Sequence, residues 1–103
     1  MSFAVRYLAQ ARADLIRLYD HLVDKAETVE DLTHADIAYE AIVSAIDSLR
    51  RTPFIYRKAA ESPFLRELLI PFGAAGYVAL FEIVDAGLVQ VLAIRHQLED
   101  DYH

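Results

Sequence analysis

The chain has no cysteine, which excludes disulfide frameworks and thiolate zinc sites and leaves no redox reading. No apolar run approaches a membrane span, and no signal-peptide layout opens the sequence. Its histidines, His21, His34, His96 and His103, lack ligand spacing with nearby carboxylates, so neither a metal nor a cofactor is expected. No internal repeat or low-complexity segment is visible. These absences lead to the expectation of one soluble, cytoplasmic domain over the 103 residues.

Basic residues are also few. Lys and Arg number 10 against 16 Asp and Glu, a formal net charge of -6, and an acidic protein is a poor sequence-independent binder of nucleic acid. The charge is unevenly placed. Asp14, Asp20, Asp24, Glu27, Glu30, Asp31, Asp36, Glu40 and Asp47 outweigh Arg17 and Lys25 in the first half, whereas Arg50, Arg51, Arg57, Lys58 and Arg66 then outweigh Glu61. A polarised molecule follows, with a candidate basic patch at Arg50, Arg51, Arg57 and Lys58. That cluster can equally balance the acidic helices.

What is abundant is apolar: 55% of residues are hydrophobic, high for so short a chain, which implies surface to be hidden by a partner. Alternation over Ser2 to Tyr7 predicts a short strand. From about Ala9 the period lengthens, and Ala11, Leu15, Leu18, Tyr19 and Leu22 form a helical stripe with Arg12, Asp14, Arg17, Asp20 and Asp24 on the other faces. Ile37/Ala38, Ala41/Ile42, Ala45/Ile46 and Leu49 predict a second helix, ended by Thr52-Pro53. A short acidic link makes the two an antiparallel hairpin. Residues 53–63 read as a basic, aromatic loop. Phe64 to Ile70 is strand-like and stops at Pro71, and Gly73-Ala74-Ala75-Gly76 links it to a hairpin of Tyr77–Val84 and Leu88–Ile94 around Asp85-Ala86-Gly87. Neither hairpin strand alternates cleanly, which implies cover on both faces. The expected fold class is α+β, in the order β-α-α-β-β-β, with the helical hairpin on one face of an antiparallel sheet.

Tyr7 to Leu15, running on through Tyr19 and Leu22, is similar to the opening strand and Ala-x-x-Asp-Leu helix of the RelE/ParE superfamily of type II toxin–antitoxin toxins. Leu49-Arg50-Arg51-Thr52-Pro53 with Arg57, the Arg-bearing segment Phe64-Leu65-Arg66-Glu67-Leu68, and the closing Ile94-Arg95-His96-Gln97-Leu98-Glu99-Asp100-Asp101-Tyr102 resemble further motifs of that superfamily, in its order. The resemblance implies a toxin neutralised by a cognate antitoxin, touching DNA only through that antitoxin, as a homodimer or a toxin–antitoxin hetero-oligomer. Of the two branches, ParE-like members inhibit DNA gyrase and RelE-like members cut mRNA on the ribosome. Leu98 stands where the closing motif often carries an arginine, and Glu99, Asp100 and Asp101 face phosphate with the wrong sign, so the ParE-like branch is favoured. A non-toxic interaction domain of the same fold is the remaining alternative.

The resemblance places target binding on Arg95, His96, Glu99, Tyr102 and Arg66, and, were the chain a RelE-like nuclease, catalysis on Arg66, Arg95 and Tyr102. Plain alternatives stand beside these roles: an edge-strand arginine for Arg66, a solvated strand end for Arg95 and His96, and a ring packed on the sheet for Tyr102.

Overall fold

The computed structural model describes residues 2–99. Asp100, Asp101, Tyr102 and His103 lie outside the described residues, and with them the roles expected of Tyr102. The elements are β1 (Ala4–Tyr7), α1 (Ala9–Asp24), α2 (Val29–Asp47), 3₁₀ turns at Ser48–Arg50 and Pro53–Ile55, β2 (Arg57–Lys58), β3 (Leu65–Phe72), β4 (Ala75–Asp85) and β5 (Leu88–His96). They build a sheet in the order β1-β5-β4-β3-β2 with the helical hairpin against one face. Strands β2 to β5 are antiparallel neighbours, and β1 joins parallel to β5.

The core lies between these layers. Leu68 and Ile70 of β3, Tyr77, Ala79, Phe81 and Ile83 of β4 and Val89, Val91 and Ile94 of β5 meet Leu15 and Leu18 of α1 and Ala38, Ile42 and Ile46 of α2. Ala11, Ala35 and Ala38 are buried, and such small side chains let the helices approach each other and the sheet closely.

Helix α2 begins earlier than its apolar stripe. Thr28 accepts from the Asp31 backbone N–H at 3.1 Å, and the Asp31 carboxylate accepts from the Glu27 N–H at 2.9 Å. This reciprocal cap starts the helix at Val29 and shortens the expected acidic link to residues 25–28. The buried stripe is Ala35, Ala38, Ile42 and Ile46, and Ile37, one residue out of phase, is exposed.

Three features of the sheet depart from expectation. The basic loop contains the two-residue strand β2, paired with Glu67 and Arg66. Strand β3 does not stop at Pro71 but continues to Phe72, because Pro71 pairs with Gly76, at a positive φ of 139°, where a Cβ would run into the Ile70 carbonyl oxygen. Strand β5 carries a bulge: Leu80 pairs with Ala93 and Phe81 with Val91, so Leu92 is the extra residue. The bulge shifts the inward positions from Val89 and Val91 to Ile94, and it accounts for the missing alternation in that strand.

Candidate functional site

Strand β1 ends at Tyr7, opposite Val91, and beyond that point helix α1 takes over the outer edge of β5. Leu8 N–H still donates to the Val91 carbonyl at 2.9 Å. Three residues on, Asp14 Oδ2 accepts from the Ile94 N–H at 2.9 Å, and Arg17 Nη2 reaches the Ile94 carbonyl at 3.5 Å. The two side chains of α1 thus serve β5 as a further strand would. Asp14, expected on an outer face of the helix, is only 3% exposed and is held also by Gln10 Nε2 at 2.8 Å. Its place explains why an aspartate stands at this point of the helix.

Arg17 also reaches past the strand. Its Nη1 donates to Glu99 Oε1 at 2.7 Å and its Nη2 to Glu99 Oε2 at 3.3 Å, a two-pronged grip. The hydrogen bond from Arg17 holds the Glu99 carboxyl below the usual carboxylate range, and in return Glu99 raises the Arg17 pKa. Arg95 works from another direction, with Nη1 donating to the carbonyls of His96 at 3.3 Å, Gln97 at 3.3 Å and Glu99 at 2.9 Å. His96 Nδ1 accepts from the Leu98 N–H at 3.1 Å, and its ring stands edge-on to Tyr77 at 5.4 Å.

Next to this turn an open cleft of about 800 Å³ separates the helices from the sheet end. Its walls include Leu18, His21 and Leu22 of α1, His34 of α2, Phe72 and Tyr77 of the sheet, and His96, Leu98 and Glu99. His34 packs on Phe72 with centroids 4.9 Å apart. Burial pushes the Tyr77 phenol up, away from a phenolate at neutral pH. Although several imidazoles share the cleft, no group of three or more metal-ligating side chains forms among the described residues.

Arg66 sits elsewhere. It pairs across the sheet with Phe81, on the side that faces the helices, whereas Arg95 pairs with Val78, which points to the opposite face. The structure therefore does not bring Arg66 and Arg95 together. Arg66 Nε donates to the Pro63 carbonyl at 2.9 Å, and Nη1 to those of Phe54 at 2.9 Å and Tyr56 at 2.7 Å, with the guanidinium 5.4 Å from the Phe54 ring centre. It ties the loop after α2 to β3. In the basic patch Arg50 binds Asp47 at 2.6 Å and Arg57 binds Glu67 at 2.9 Å, while Arg51 and Lys58 are exposed.

The sheet face away from the helices carries Leu69 of β3, Val78, Leu80, Glu82 and Val84 of β4, and Arg95 of β5. Leu69 and Val84 are 44% and 45% exposed. This face is largely aliphatic, and its charged groups are of both signs, Glu67 and Glu82 beside Arg57 and Arg95. Of the residues expected at the site, the structure brings Arg95, His96 and Glu99 together at this turn, and Arg17, whose only sequence signal is its spacing of three from Asp14 on the helix, joins them there.

The described fold, an α+β two-layer domain with two helices on a sheet of four antiparallel strands that the N-terminal strand extends in parallel, matches that of a solved toxin–antitoxin protein. The structure, titled as the chromosomal ParDE TA system from P. aeruginosa, superposes with a TM-score of 0.71 at 23% identity, over 92% of this chain and 96% of that one. The model of the family described as "ParE toxin of type II toxin-antitoxin system, parDE" matches residues 5–101, and the chain belongs to that family. Among curated proteins it is similar to Toxin RelE3 of Caulobacter vibrioides, 32% identical over 90 residues, covering 87% of this chain and 89% of that protein. Toxin RelE1 of the same organism is 32% identical over 99 residues, 96% of this chain and 98% of the relative. A toxin of a type II system has a cognate antitoxin as its partner. No helix among the described residues is long and apolar enough to cross a membrane.

Proposed function

We propose that this chain is a cytoplasmic, ParE-like toxin that arrests growth by binding DNA gyrase, without chemistry of its own, and that its antitoxin relieves the arrest by covering it. The observation that supports a binding role is the engagement of the candidate cations. Cleavage of RNA requires a group that activates the 2′-hydroxyl and cations that meet the charged phosphorane. Here Arg66 and Arg95 each donate to backbone carbonyls on opposite faces of the sheet, and Arg57 is paired with Glu67. The Glu99 carboxylate lies where phosphate would meet repulsion. The target-binding assignment keeps Arg95, His96 and Tyr102, with Glu99 acting through the turn that it fixes by its bond to Arg17 and Arg66 through the loop it ties down.

A RelE-like endonuclease is the second reading, favoured by the names of the two Caulobacter relatives. The two separate in purified systems. Inhibition of gyrase supercoiling at stoichiometric toxin, reversed by antitoxin, is the expected result. Supercoiling left untouched, together with cut message on programmed ribosomes, would overturn the proposal.

A further inference from the structure

The turn at residues 97–99 is held at several points by side-chain and backbone hydrogen bonds. Arg95 holds the carbonyls of Gln97 and Glu99 and that of His96 just before them, Arg17 holds the Glu99 carboxylate, and Gln97 N–H donates to the Gly76 carbonyl at 2.9 Å while Glu99 N–H donates to that of His96 at 3.0 Å. In the middle of this frame Leu98 is 79% exposed. An aliphatic side chain so placed adds little to folding, whereas on a fixed backbone it loses little freedom when a partner buries it. The guanidinium groups at the turn already serve protein acceptors, and the carboxylate of Glu99 is the neighbouring charge. The chemistry suits an apolar pocket on a protein and offers nothing to a phosphate backbone.

We infer that Leu98 is the anchor by which this chain holds its protein target, and that Arg17, on helix α1, is a positioning residue that sets the turn through Glu99. The inference rests on the toxin reading above and adds to it a contact and its support. Arg17 itself touches no target. It acts by keeping Leu98 in one place, as Asp14 beside it keeps the end of β5.

The test measures growth arrest on induction without antitoxin for the unaltered chain, Leu98→Asp, Leu98→Met, Arg17→Glu and the charge exchange Arg17→Glu/Glu99→Arg. Melting temperature and antitoxin affinity are measured on the same purified proteins. Leu98→Asp should raise survival at least about tenfold, the scale of losing one anchor side chain, while Leu98→Met keeps the arrest. Arg17→Glu should lose the arrest and the exchange regain it, with melting temperature and antitoxin affinity of Leu98→Asp unchanged. Full arrest by Leu98→Asp overturns the inference. So does a parallel loss of antitoxin affinity in that variant, which would make the antitoxin the occupant of the anchor. A folded exchange variant that stays inactive removes the role of Arg17. If the unaltered chain causes no arrest, the toxin reading falls first and this inference with it, so the two failures are told apart by that control. Leu98 is exposed, so its variants fold whatever becomes of Arg17→Glu.

Discussion

Asp14 shows what a single side chain does when a strand runs out of neighbours. The Ile94 N–H is buried, β1 has ended at Tyr7, and a carboxylate from α1 supplies the acceptor at 2.9 Å. A buried backbone donor left without a partner costs roughly 1–3 kcal/mol. Asp14→Ala should therefore lower stability by about that amount, and Asp14→Asn, which keeps one acceptor oxygen, should lose less. Chemical denaturation of the three proteins reads the difference directly, and hydrogen exchange at Ile94 should rise in Asp14→Ala. Equal stability of all three would mean that another group satisfies the strand. The Ala-x-x-Asp-Leu motif marks the residue but not this role: by charge pattern alone, an aspartate among Arg12, Arg17 and Asp20 looks like part of a solvated helix face. Its acceptor duty depends on a contact across 80 positions. The same holds for Arg66, whose partners are carbonyls of an irregular loop, groups that every residue carries and no sequence pattern reveals.

At the scale of elements, the parts with local signals were legible and those set by distant pairing were not. The β4–β5 hairpin follows from β-branched runs around Asp85-Ala86-Gly87, and the structure closes it with the Gly87 N–H donating to Asp85 Oδ1 at 2.8 Å. The parallel docking of β1 on β5 has no such signal, since it joins the two ends of the sequence around the whole helical hairpin. The bulge at Leu92 likewise hides inside a strand of ordinary composition. Helix α2 lies between these cases. Its stripe was visible, but its start is decided by Thr28 and Asp31 two turns before the stripe is strong. Thr28→Ala should cost about 0.5–2 kcal/mol, the usual range for a lost N-cap. The cap also carries a pH signature. Hydrogen bonds from the Glu27 and Thr28 side hold the Asp31 carboxyl below its ordinary value. A carboxylate with a lowered folded pKa contributes stability that is present above its unfolded pKa and is lost as pH falls through the folded one. The start of α2 should fray on acidification through that window, and Asp31→Asn should remove the pH dependence of the 29–32 amides. A titration of those amides that is the same in both proteins would refute the capping role of Asp31.

Over the whole molecule, the charge separation has a consequence for how the antitoxin arrives. Asp20, Asp24, Glu30, Asp36 and Glu40 are exposed along the two helices, whereas Arg51 is exposed just past the end of α2 and Lys58 on the edge strand β2, in a body 44 Å long. An uneven distribution of this kind orients a charged partner before contact, and its effect is felt in the association rate more than in the final affinity. The exposed apolar groups, such as Leu69 and Val84 on the sheet and Ile16 and Ile37 on the helices, carry no charge for salt to screen. An antitoxin with a basic binding segment should therefore associate more slowly as salt rises, because the Debye length shrinks from about 30 Å at 0.01 M to about 3 Å at 1 M. Its dissociation rate should change far less. Replacing Asp20, Asp24 and Glu40 by their amides should flatten the salt dependence while leaving the melting temperature of the complex nearly unchanged, as surface charges contribute little to stability. Stopped-flow association over that salt range decides the matter. An association rate indifferent to both salt and the amide substitutions would show that the acidic helices face away from the approaching antitoxin, and that docking is driven by the apolar surface alone.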